Sequence, residues 1–186
     1  FTEEMNDLPP TLNDIDARLY FTLLSARKTA YALVQDSTKP LARCLAELLD
    51  FAEELQGQIG ALPTVTEKMD FRSVFQNPEL INPQWPEKVA AGDLAAPVVE
   101  SHFGRQIAMY FLFRYFLNLG LEGDVLSAAK MAVVGVLVPT YFGTDSWVMH
   151  LWSKETEHSD VNMERYRRLL RTADCLSVPA LKSRLV

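Results

Sequence analysis

A chain of 186 residues, 48% hydrophobic and 23% charged, has the size and composition of one folded domain, enough to bury about 70% of its unfolded surface. Its net charge of −6 lacks the basic face that nucleic acid demands and better suits a cationic partner such as a lysine side chain. The two cysteines, Cys44 and Cys175, form neither a CxxC pair nor a disulfide framework and fit a reducing cytoplasm.

The chain opens at Phe1 on an acidic, proline-containing stretch without the basic n-region of a signal peptide. A start other than Met points to a natural segment upstream. Over residues 15–34, Leu19, Leu23, Ala26, Ala30 and Val34 recur at the spacing of one helix face. Asp36-Ser37-Thr38 interrupts, and Pro40 suits the first turn of a second helix carrying Leu41, Leu45, Leu48, Leu49, Ala52, Leu55 and Ile59 on one face. Residues 1–59 therefore read as a helical hairpin of core scaffolding.

Residues 60–97 contain Pro63, Pro78, Pro83, Pro86 and Pro97, which exclude a long helix. The expectation is a proline-rich loop with one short helix near 68–75, wrapping the core through Phe71, Phe75, Leu80, Ile81 and Trp85. Residues 98–186 form the remaining helical core. A third helix covers 98–119, its second half, 107–117, apolar nearly all round, and a fourth over 124–141 is bent or ended by Pro139. Its most apolar run, 131–138, is far short of the ~20 residues a bilayer requires, so no membrane is expected. A fifth helix covers 145–158, and a last one, capped by Ser159 or Asp160, runs to Leu170 with Arg165, Arg167, Arg168 and Arg171 as a solvated face. The fold class is all-α: one compact bundle of about five to six helices with a long middle loop.

Chemistry concentrates in two places. Arg114 lies inside Phe111-Leu112-Phe113-Arg114-Tyr115-Phe116, where a permanently charged guanidinium requires a carboxylate or other acceptors, with Glu155 and Glu157 the attractive distant partners and Tyr110 one turn away. A buried ion pair, a hold on an anionic ligand group and surface exposure are the open readings. Glu155-Thr156-Glu157-His158 puts a carboxylate and an imidazole on one helix face, as in di-iron bundles. A second such motif is missing, and the spacing of His102, His150 and His158 selects no zinc site, so no metal is expected. His158 can act as acid or base or link helices, and Trp147, Leu151 and Trp152 are core or a wall for an ammonium group. Neither a phosphate-binding glycine loop nor a nucleophile motif is present.

The run Tyr110-Phe111-Leu112-Phe113-Arg114-Tyr115-Phe116, within residues 100–116, resembles a segment of the bacterial flagellin lysine-N-methylase family. His150-Leu151-Trp152-Ser153-Lys154-Glu155-Thr156-Glu157-His158-Ser159-Asp160 resembles that family's C-terminal signature, with Thr156 where the family carries an aliphatic residue. Arg27, Pro40-Leu41 and Arg43 fit the region upstream. The resemblance spans most of the chain, but only the two segments are specific. It implies the C-terminal portion of an S-adenosylmethionine-dependent protein-lysine methyltransferase whose partner is flagellin or another lysine-bearing protein. It also implies an N-terminal region, absent here, whose cysteines hold an iron–sulfur cluster. Two cysteines cannot supply about four thiolates, so this chain holds no cluster and is inactive alone. Glu157 and His158 would orient the amine, with Tyr110 and Arg114 in support. Two other classes compete: a non-catalytic partner-binding or scaffolding module, and the ligand-binding domain of a helical transcription regulator. The latter requires an apolar cavity between the third and fifth helices.

Overall fold

The computed structural model describes residues 14–61 and 64–186; the acidic opening stretch and Pro63 lie outside the described residues. Eight α-helices are present among them, more than the five to six expected: α1 (Asp14–Gln35), α2 (Leu41–Ile59), α3 (Gln84–Ala91), α4 (His102–Leu121), α5 (Val125–Phe142), α6 (Ser146–Glu157), α7 (Asp160–Thr172) and α8 (Val178–Arg184). Single 3₁₀ turns occupy Phe71–Phe75 and Asp174–Leu176. The described residues contain no strand, only an isolated parallel bridge between Glu67 and Ala173.

The bundle is built around α5. Every residue from Val125 to Pro139 is buried, so a helix with the length and apolarity to cross a membrane is instead enclosed by its neighbours. Pro139 does not end it; the helix continues to Phe142. Gly135 lets α4 approach closely, since a Cβ there would lie 2.4 Å from the Phe111 ring. Gly120 does the same for α1, whose Leu23 would stand 2.7 Å from an added Cβ. This helix carries a buried cation: the Lys130 ammonium donates to the Leu170 carbonyl at 2.7 Å, and burial holds its pKa down at about 8 against the pull of Asp124 and Glu53.

The α1–α2 hairpin is tied at its link from a distance. The Glu100 carboxylate accepts from the Leu41 N–H at 2.6 Å, at the start of α2. Arg105, paired with Glu100 at 2.8 Å, donates at 2.7 Å to the carbonyls of Val34, at the end of α1, and of Lys39, in the link. Each charge thus meets the helix end whose dipole it complements.

The middle segment is less of a loop than its prolines imply. Pro86 falls in the first turn of α3, where no intrahelical N–H is lost, so the helix forms between Pro83 and Gly92. Phe71, Phe75 and Trp85 anchor the segment in the core, whereas Leu80 and Ile81 are exposed. The segment's start is stitched to the end of α7: the N–H groups of Thr66 and Glu67 donate to the Thr172 carbonyl at 3.0 Å. The arginines of α7 are not simply solvated. Arg165 donates to the carbonyls of Ser73 and Val74 at 2.9 Å, and Arg167 and Arg168 pair with Glu122 and Glu67. At the C-terminal end, Arg184 of α8 lies 3.9 Å from the Phe71 ring centroid.

Candidate functional site

The junction of α6 and α7 is one tight corner. Asp145 caps α6 by accepting from the Val148 N–H at 3.1 Å, His158 closes it, and Ser159 caps α7 by accepting from the Asn162 N–H at 3.2 Å. Because successive helical residues turn by about 100°, Glu155 and Glu157 leave the last turn of α6 in nearly opposite directions.

Glu155 points inward and is fully buried. Its carboxylate accepts from the N–H groups of Ile81 (3.2 Å) and Asn82. Asn162 extends the same grip: its amide donates to the carbonyls of Glu79 (2.8 Å) and Glu155 (2.7 Å) and accepts from the Glu79 N–H at 3.0 Å. Ser159 donates its hydroxyl to the Glu79 carboxylate. Together these residues clamp residues 79–82 onto the bundle. No Lys, Arg or His lies within ion-pair distance of Glu155 among the described residues.

Glu157 faces α4. Tyr110 donates its hydroxyl to Oε2 at 2.9 Å, and Arg114 Nε lies 3.2 Å from the same oxygen. The arrangement is asymmetric: the Glu157 side chain is 8% exposed and that of Arg114 51%. Arg114 is therefore not the buried cation that its aromatic surroundings suggest, and its partner is Glu157, not Glu155. Its Nε also donates to the Tyr115 hydroxyl at 3.1 Å. Burial, and then the Glu157 carboxylate, push the Tyr110 phenol up to about 12. Tyr115 is raised chiefly by burial. Beneath them Tyr166 is fully enclosed, its hydroxyl without a hydrogen-bond partner among the described residues, and burial drives its pKa far above the usual range.

This polar corner closes one end of a groove of about 360 Å³ between α4 and α6. Phe103, Ile107, Phe111, Met149 and Trp152 give it apolar walls, Tyr110 and Glu157 a polar end. Its histidine is His150, exposed and stacked on Trp147 with centroids 5.1 Å apart. His158 is exposed and makes no hydrogen bond or ion pair among the described residues. Of the four expected site residues, Tyr110, Arg114 and Glu157 meet and His158 does not join them. His150, which the sequence offers only as a zinc ligand and as the start of the signature-like run, lines the groove instead.

The described residues contain no cluster of three or more His, Cys, Asp or Glu able to hold a metal. Comparison with protein-family models, with curated proteins and with solved structures finds no match.

Proposed function

We propose that the groove between α4 and α6 receives a lysine side chain of a protein partner, and that the chain is the acceptor side of a protein resembling S-adenosylmethionine-dependent flagellin lysine methyltransferases. The observation that carries this reading is a nearly buried carboxylate, Glu157, closing the end of an aromatic and aliphatic groove. An aliphatic stem gains from burial along Phe103, Ile107 and Met149, and the ammonium gains from the carboxylate and the ring faces. Arg114 competes only weakly. A half-exposed ion pair contributes about 0–1 kcal/mol, so an incoming ammonium can use the remaining lone pairs of the Glu157 carboxylate, whose two oxygens lie 3.2 and 2.9 Å from the Tyr110 hydroxyl, or release the arginine to solvent.

The methyl donor, when bound, supplies an electrophilic sulfonium methyl. The groove lies at the low end of the range for one ligand, roughly 300–1,000 Å³, so it does not fit the donor as well as a lysine. No residue of this chain is assigned to the donor. What this chain contributes is on the acceptor side: Glu157 and Tyr110 hold the amine by hydrogen bonds, Arg114 balances the carboxylate, and the apolar walls keep water from the stem. His158, in solvent, has no part in it.

The regulator reading also asks for an apolar cavity between these two helices, and the groove lies there. The carboxylate at its end favours a cation over a neutral effector. In the full-length protein, Glu157→Gln should lower kcat/KM for flagellin-lysine methylation at least about tenfold with the melting temperature unchanged. Unchanged methylation would remove Glu157 from the reaction.

A further inference from the structure

On the other side of α6, a second cavity of about 290 Å³ opens between the clamped loop and α3. Its walls include Phe75, Trp85, Pro86 and Val89, and Leu80, 58% exposed, marks its mouth. Two electrostatic demands are left unmet on these walls. The fully buried Glu155 carboxylate accepts two backbone N–H groups, has further lone pairs, and has no cation within 4 Å among the described residues. The side-chain amide nitrogen of Asn77 is buried without a hydrogen-bond partner. An uncompensated charge and an unpaired amide on one void are costly, and a ligand that meets both removes that cost.

We propose that this cavity binds a small primary amine in its ammonium form. Three N–H donors suit the free lone pairs of Glu155 and the Asn77 amide, whose oxygen replaces the unpaired nitrogen when the group turns over. The alkyl part lies against Pro86 and Val89, and the charge lies near the Trp85 and Phe75 rings. Arg72, on the same wall, does not neutralise Glu155. Its guanidinium is turned to the α3 end, donating to the carbonyls of Val89 and of Gly92 (3.1 Å). Because Glu155 also holds Ile81 and Asn82, occupancy is coupled to the loop that forms the mouth. This site is independent of the groove at Glu157.

The test follows the Trp85 indole N–H resonance of the full chain during titration with n-propylammonium chloride, with 1-propanol as the neutral isostere. A saturable shift is expected for the ammonium, with 1-propanol at least about tenfold weaker. Glu155→Gln should erase that difference. Ala90→Phe, which covers the cavity while leaving Glu155 and its loop contacts intact, should abolish the response if Glu155→Gln unfolds the loop. Glu157→Gln should leave the response unchanged. Nα-acetyl-lysine methylamide, too bulky at its backbone end for the cavity, should not move the indole; an equal shift would assign the cavity to a protein lysine instead. A folded chain whose Trp85 resonance does not saturate, or that binds 1-propanol equally well, leaves the cavity to water and overturns the proposal.

Discussion

Two carboxylates of the same residue type, two positions apart on one helical turn, meet opposite fates. Glu155 is sealed in the interior and holds backbone N–H groups of a loop, while Glu157 borders a groove and shares its charge with Tyr110 and a half-exposed arginine. A buried acceptor whose donors have no other partner is a matter of fold. An acceptor whose partners can turn to water is open to exchange with a ligand. The signature-like turn is therefore two devices back to back.

The largest effect should come from the inner face. Glu155→Ala strands the Ile81 and Asn82 N–H groups, at about 1–3 kcal/mol each, so denaturant unfolding should show a loss of about 3 kcal/mol. A loss below about 1 kcal/mol would deny Glu155 its place in the clamp. Asn162→Ala removes three bonds to the backbone of Glu79 and Glu155 and should cost about 2 kcal/mol. Hydrogen exchange should accelerate at Glu79 and Ile81, and an unaltered exchange pattern would show the loop held by other means.

On the outer face, Glu157→Gln should alter stability by less than about 1 kcal/mol, since Arg114 and Tyr110 can turn to solvent. A loss comparable to that of Glu155→Ala would erase the distinction between the two carboxylates. The smallest effect is spectroscopic. Tyr110, raised to about 12 by burial and by Glu157, should titrate lower in Glu157→Gln but stay above 10, because burial remains; ultraviolet phenolate absorbance reads this. The sign for stability follows. Between pH 10 and 12 the unfolded phenol has lost its proton and the folded one has not. Tyr110's contribution is thus whole below pH 10 and is lost as pH rises through 12.

Much of the helical frame is legible in the chain because its signals are local. Asp145 and Ser159 announce helix starts by side chains that cap three residues ahead, and the periodicity of α2 carries its buried face directly. The errors share a cause. Proline density hides α3 because a first-turn proline and a helix-breaking one look alike in sequence, and only the fold says which turn Pro86 occupies. The α7 arginines look solvated because their acceptors, the carbonyls of Ser73 and Val74 for Arg165 and the carboxylates of Glu122 and Glu67 for Arg167 and Arg168, lie far away along the chain. The same distance decides between the glutamates: nothing in Glu155-Thr156-Glu157 says which faces residues 79–82 and which faces α4. Tyr110 and Arg114 are legible as oddities of an aromatic helix, whereas nothing local shows that α6 ends at Glu157 and leaves His158 exposed.

The division of labour at this turn is tested most directly by titrating the chain with Nα-acetyl-lysine methylamide while following amide resonances of α4 and α6. Saturable shifts are expected at Tyr110, Met149 and Glu157, weakened at least about tenfold in folded Glu157→Gln. Equal binding by wild type and Glu157→Gln, or no response at these residues, would contradict the assignment of the groove to a lysine side chain.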